Sequence, residues 1–225
     1  MAEGAGSNIE VAHHLSHKGS RTLTDEGLEI AEAIMLAIVA ITTAWSGYQA
    51  ALWTGEQAKL YGRSMRLRIE AQGAATTADQ ERLYNAATVV EWLKAEAHGD
   101  AKLAQLFERR FLPEFFPAFE AWKKTDPLNN PEAPAGPQLM AEYHSSKTEH
   151  AAKLNDQASG MFEQGEAARQ HSDDYVRVTV TLATVLFLTA LSQRFKVHGV
   201  RVTLLVFALL LLCFPLSRVF MLPRF

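Results

Sequence analysis

The strongest constraint on this chain is residues 33–53, a run of 21 residues without a charge. At about 1.5 Å rise per residue, a helix of this length reaches roughly 30 Å, which is the thickness of the hydrocarbon core of a bilayer. The run therefore predicts a membrane-spanning helix, and we place the first span at residues 24–53.

Small residues recur along one face of this predicted helix at alternating intervals of four and three. Such a seam lets a second helix backbone approach closely. We refer to six residues as the seam: Ala33, Ala37, Ala40, Ala44, Gly47 and Ala51. Three interpretations are open: the seam packs against the chain's own later spans, it forms a contact between copies of the chain, or it lines a pore.

The pore interpretation uses polar residues of the same segment. Acidic side chains at the start of the helix would form carboxylate rings at a cation entrance, and neutral polar side chains would face water. The acids are Glu26, Glu29 and Glu32, and the neutral polar residues are Thr42, Ser46 and Gln49. The same acids also suit an ordinary solvated helix start, where they complement the helix dipole.

Two further apolar segments predict a transmembrane hairpin. Residues 175–193 carry one charge, Arg177, and residues 200–222 contain a run from Val202 to Phe214 that is apolar except for Thr203. The connector between them is too short to form a domain. Together with the first segment they give three spans, and Asp173, four residues before Arg177, is the expected partner of that arginine.

The charge of the connector predicts the orientation. It carries Arg194 and Lys196, it is followed by Arg201, and it contains no acid. Short basic loops remain in the cytoplasm, whereas long domains cross largely regardless of charge. We therefore predict a cytoplasmic N-terminus and a periplasmic middle domain, although basic residues after the first span oppose this assignment. In either orientation, Glu29 and Glu32 lie on the side of Arg201 and can neutralise it.

Residues 54–174 are predicted to form a helical extramembrane domain. Gly73 and the Thr76–Thr77 pair predict a break in the first long helix, with a second helix from there to about Phe111. An aromatic segment with two prolines follows and is expected to cap the domain core with short helical turns. The linker 125–137 contains four prolines, and a long helix is expected from about residue 138. Two long helices joined in this way predict an antiparallel hairpin.

Several classes of function lack support in the sequence. Residues 1–23 form a polar tail, predicted to be disordered, whose His13, His14 and His17 have no fixed geometry for a metal. A net charge of −3 and the lack of a basic stripe argue against a nucleic-acid partner. No nucleophile elbow, phosphate-binding glycine loop or zinc-protease motif occurs, so we predict neither an enzyme nor a cofactor.

Three features of the sequence occur together in a known layout. They are the histidines of the tail, the sequence WSGYQA at residues 45–50, and the basic connector with Arg194 and Lys196. This layout resembles a family of small three-span bacterial membrane proteins of unknown function. The resemblance implies three spans, a helical hairpin domain and a bacterial source, and it implies no catalytic residue.

The sequence thus predicts an all-α integral membrane protein with three transmembrane helices and a helical-hairpin extramembrane domain. The expected function is that of a non-enzymatic, homo-oligomeric scaffold or assembly protein of a bacterial inner membrane. Its contacts would come from the first span, from the extension of that helix and from the helical domain, which binds itself or another envelope protein. The alternative is a cation-conducting channel with its pore along the first span.

Overall fold

The computed structural model describes residues 23–195 and 197–225, without the side chains of residues 23–25. This part of the chain is all-α and contains no strand. Three of its helices are long and apolar enough to cross a membrane, as the sequence predicts. The histidines of the tail and Lys196 of the connector lie outside the described residues.

Five α-helices and one short 3₁₀ helix make up the described chain. The α-helices are α1 (Leu23–Ala97), α2 (Ala101–Glu108), α3 (Phe116–Lys123), α4 (Ser146–Ser192) and α5 (His198–Met221), and the 3₁₀ helix is Pro137–Leu139. The chain divides into two compact units. Among the described residues, unit 1 contains those up to Glu56 together with Ala167–Phe225, and unit 2 contains Gln57–Glu166.

The predicted break in the first long helix is wrong, because α1 continues through Gly73, Thr76 and Thr77. The two threonine hydroxyls donate hydrogen bonds of 2.8 and 2.9 Å to the carbonyl oxygens four residues earlier. A threonine bonded in this way stays inside the helix and does not cap a new one.

Helix α1 ends at Ala97, whereas the second helix predicted from the sequence was expected to end at about Phe111. Gly99 follows with a φ of +73°, a left-handed conformation that glycine adopts without strain. Asp100 then accepts a hydrogen bond of 3.0 Å from the backbone N–H of Leu103 and so caps α2. The sequence indicated Gly99 only as a weak point.

In unit 1, helices α1 and α4 run antiparallel. The Thr54 and Ser172 hydroxyls lie 2.9 Å apart, and Ser172 donates to the carbonyl oxygen of Ala50 at 3.1 Å. An apolar core joins these helices to α5. It consists of Met35, Val39, Val178, Leu182, Val185, Ala208, Leu212 and Val219.

In unit 2, α1 and α4 again run antiparallel. The Ser64 hydroxyl donates to the carbonyl oxygen of Ala158 at 2.7 Å. The Phe162 ring stacks on the Tyr61 ring at 5.1 Å between centroids, and the Glu166 carboxylate accepts a hydrogen bond from the Tyr61 hydroxyl. A Cβ at Gly165 would lie 2.5 Å from the Tyr61 ring, so glycine is what allows the ring to pack there.

A cluster of aromatic side chains forms a second packed region of unit 2, between the end of α1 and helices α2 and α3. Trp92 and Phe119 meet edge to face at 5.1 Å, and Glu108 accepts hydrogen bonds from Trp92 Nε1 at 3.0 Å and from Lys123 Nζ at 2.5 Å. The buried rings are Trp92, Phe111, Phe115, Phe119 and Trp122. The aromatic segment is therefore core rather than an exposed patch, with Phe116 as its most exposed ring.

This cluster predicts different outcomes for two neighbouring phenylalanines. Phe119 is 1% exposed and Phe116 is 38% exposed. Phe119→Ala should lower the free energy of unfolding by about 3–5 kcal/mol because it opens a cavity among packed rings. Phe116→Ala, the matched control, should lower it far less. Urea unfolding followed by tryptophan fluorescence measures both values, and equal losses would contradict the assignment.

Helix α4 begins at Ser146, eight residues later than the sequence predicted, because the 3₁₀ helix Pro137–Leu139, a turn at residues 141–142 and an irregular segment at residues 143–145 precede it. The Glu114 carboxylate holds this start: it accepts hydrogen bonds from the Ser146 hydroxyl at 2.7 Å and from the Ser146 backbone N–H at 3.0 Å. The two bonds from Ser146, with a smaller contribution from nearby His144 and Lys147, lower the pKa of Glu114.

The lowered pKa of Glu114 predicts a pH dependence of unfolding. Because the pKa of Glu114 is lower in the folded than in the unfolded protein, this carboxylate stabilises the fold at pH values above its unfolded pKa of about 4.3. The contribution is lost as the pH falls through the lowered pKa of the folded protein. Glu114→Gln should therefore be less stable than the wild type at pH 7 and equally stable at low pH. Glu120→Gln, an exposed carboxylate on α3, is the control. A stability difference that does not change with pH would contradict this role.

Candidate functional site

A buried ion pair joins α1 to α5 in unit 1. The Glu32 carboxylate accepts hydrogen bonds from Arg201 Nε at 2.8 Å and from Arg201 Nη2 at 2.9 Å, which is the two-pronged geometry that arginine favours. The Glu32 side chain is 3% exposed and that of Arg201 is 17% exposed. The predicted neutralisation of Arg201 by an acid of the first span is confirmed for Glu32.

The end of α4 completes this site. The Ser192 hydroxyl lies 3.3 Å from Glu32 Oε1 and 2.7 Å from the carbonyl oxygen of Thr189. A hydroxyl has one proton to donate, and the shorter distance favours the carbonyl. Ser192 is fully buried, so the site brings together all three helices of unit 1. No sequence pattern indicated Ser192, since a lone serine at a helix end is common.

The six seam residues face away from the core of unit 1. Each of them is exposed, whereas Met35, Val39 and Ala50 on other sides of α1 are buried. This exposure does not favour the interpretation in which the seam packs against the chain's own later spans. Large apolar side chains lie beside the seam on the outer surface, among them Ile34 and Ile41.

The predicted pore-lining residues are divided between the surface and the interior. Glu26 and Glu29 are exposed, Thr42 is half-buried, and Ser46 and Gln49 are 0% and 1% exposed. Ser46 Oγ has no hydrogen-bond partner among the described residues. Ser46 and Gln49 thus face the core of unit 1, on a different side of α1 from the seam.

A second polar cluster lies at the end of the first span. Gln49 Oε1 accepts a hydrogen bond of 3.0 Å from the backbone N–H of Phe225. The carbonyl oxygen of Pro223 accepts bonds from Trp53 Nε1 at 3.3 Å and from the Tyr175 hydroxyl at 3.2 Å. Tyr175, the first residue of the predicted second span, is fully buried in unit 1. Sequence spacing did not indicate this cluster, because residues 223–225 match no helical pattern.

Two further arginines, Arg177 and Arg194, lie near the ends of the second predicted span. Arg177 pairs with Asp174 at 3.1 Å, and Asp173 lies 3.9 Å from Arg169. The predicted pairing of Arg177 with Asp173 is therefore wrong: the partner is three residues away rather than four. Arg194 is exposed in the connector.

No family model, curated protein or solved structure matches the chain. The resemblance to three-span bacterial proteins therefore stays a prediction.

Among the described residues, no group of three or more His, Cys, Asp and Glu side chains is placed to hold a metal ion. The features that stand out in unit 1 are thus the buried ion pair and the outward seam.

The ion pair predicts a large effect of a single substitution. Glu32→Gln should lower the free energy of unfolding by about 3–5 kcal/mol, because it removes the buried carboxylate that accepts two hydrogen bonds from Arg201. Glu26→Gln, at an exposed carboxylate of the same helix, is the control. Thermal unfolding in detergent measures both. Similar midpoints for the two variants would show that the pair does not hold α1 to α5.

Proposed function

We propose that the protein is a non-enzymatic scaffold of a bacterial inner membrane and that copies of it assemble through the seam of α1. The observation that carries this proposal is the direction of the seam. Six small residues line a candidate membrane span, and none of them contacts the chain's own core closely enough to be buried.

Small residues have a specific use on the outside of a membrane helix. Two apolar helices gain little from leaving lipid, so they associate through close packing of their backbones. Gly47 fits this use: a Cβ built there would meet no atom within 4 Å. Ile34 and Ile41, at 56% and 72% exposed, supply ridges beside the seam that a facing groove can accept.

The assembly we propose is parallel. Copies inserted in one bilayer share one orientation, so their α1 helices run in the same direction. The basic connector supports a cytoplasmic N-terminus and a periplasmic location for residues 54–174. A scaffold of this kind would present its helical domain in several copies, either to itself or to another envelope protein.

The channel alternative has less support. A pore along the seam would be lined by alanine and glycine, because Ser46 and Gln49 turn towards the core of unit 1. Glu32, one of the three acids of the proposed entrance, is bonded to Arg201. Its charge is therefore already neutralised within the chain.

The scaffold proposal is tested by enlarging the seam. Ala40→Leu combined with Ala44→Leu should convert the assembled protein to monomer, because the added side chains keep the helices apart. The matched control is Ala183→Leu with Ala190→Leu, at exposed alanines of α4. Light scattering of each protein in detergent or nanodiscs gives the mass. A monomeric wild type, or an unchanged mass of the seam variant, would contradict the proposal.

A further inference from the structure

We propose that α1 also carries an interface within unit 2, where it pairs with the same face of a second copy of this chain. This inference rests on the proposed self-assembly and adds a contact outside the span. The face, which we call the stripe, consists of Ala58, Gly62, Met65, Ile69, Gly73, Thr76, Gln80, Leu83, Ala87 and Val90.

The stripe lies on the side of α1 that its own chain does not cover. All ten of its residues are exposed. The side chains that pack within unit 2, such as Leu60, Ala71 and Ala78, are buried. At about 100° of rotation per residue, these buried positions lie on the opposite side of the helix from Met65 and Ile69. Unit 2 therefore leaves one long face of α1 uncovered.

The chemistry of the stripe is not that of an ordinary solvated surface. Residues 57–90 contain eight charged side chains, and none of them is in the stripe. Large apolar side chains occupy it instead: Met65 is 63%, Ile69 is 67%, Leu83 is 67% and Val90 is 49% exposed. A solvent-facing helix side normally carries the charges, so the charge-free side is the one suited to a protein partner.

Glycines interrupt the large residues of the stripe. A Cβ at Gly62 or at Gly73 would meet no atom within 4 Å, so nothing in unit 2 requires glycine there. Glycine weakens a helix interior relative to alanine. A backbone that approaches these positions from outside unit 2 would account for them.

A second copy is the occupant that the sequence favours. The spacing of three and four in the seam continues beyond Ala51 through Gly55 and Ala58 into the stripe. Parallel α1 helices that meet at the seam would bring identical positions of the stripe opposite each other. A stripe without charge is compatible with its own copy, because no like charges are brought together.

Cysteine cross-linking of the full chain tests the interface. In a Cys213→Ser background, Ile69→Cys places a thiol on the stripe, and Glu70→Cys places one on the adjacent exposed residue outside it. A disulfide needs Cα atoms roughly 4.4–6.8 Å apart. On mild oxidation in the membrane, Ile69→Cys should form covalent dimer and Glu70→Cys should form several-fold less. Equal cross-linking at both positions would overturn the inference.

Light scattering of the same two variants under reducing conditions separates this inference from the proposed function. An assembled protein whose Ile69→Cys variant does not cross-link would overturn the stripe interface and leave the seam contact standing. A monomer without cross-links would overturn both. An assembled protein that cross-links at Ile69 and not at Glu70 would support both.

Discussion

The bond between Glu32 and Arg201 determines how α1 is turned in unit 1. A buried charge is tolerated only with a counter-charge and hydrogen bonds, and it is most demanding where an apolar environment surrounds the protein. Because Arg201 and Ser192 lie on the later helices, Glu32 must face them. Ala33 comes next, about 100° around the helix, and the rest of the seam follows it to the outside.

The rotation of α1 about its axis also determines which of the other polar residues in the first predicted span are buried. Ser46 and Gln49 lie on the side of Glu32 and are buried, whereas Ile41 and the seam are exposed. Lipid favours the burial of such polar side chains, which here lie beside the buried Met35 and Val39, since hydrocarbon cannot hydrogen-bond to an exposed hydroxyl or amide. The burial pattern of α1 thus agrees with a membrane environment for unit 1 independently of its hydropathy.

The sequence predicted the parts of this structure that depend on long, uniform signals. Three apolar runs gave the three candidate spans, and the order of the spans brought Glu32 and Arg201 to the same side. Prediction from the sequence failed where two local conformations of the chain have nearly equal energy. A hydroxyl such as that of Thr76 can cap a helix or bond back to it. The direction of the seam could not be read from its spacing, because small residues suit a contact with the same chain or with another copy equally well.

Four glycines of α1 lie along the seam and its continuation into the stripe. Gly47, Gly55, Gly62 and Gly73 lie inside the helix, and a Cβ at any of them would meet no atom within 4 Å. Each weakens the helix by roughly 0.5–1 kcal/mol relative to alanine, so together they cost about 2–4 kcal/mol. That is a large share of the roughly 5–15 kcal/mol that stabilises a typical domain. Among the described residues, no atom lies close enough to these positions to require glycine, whereas a second helix backbone packed against the same face would offset this cost.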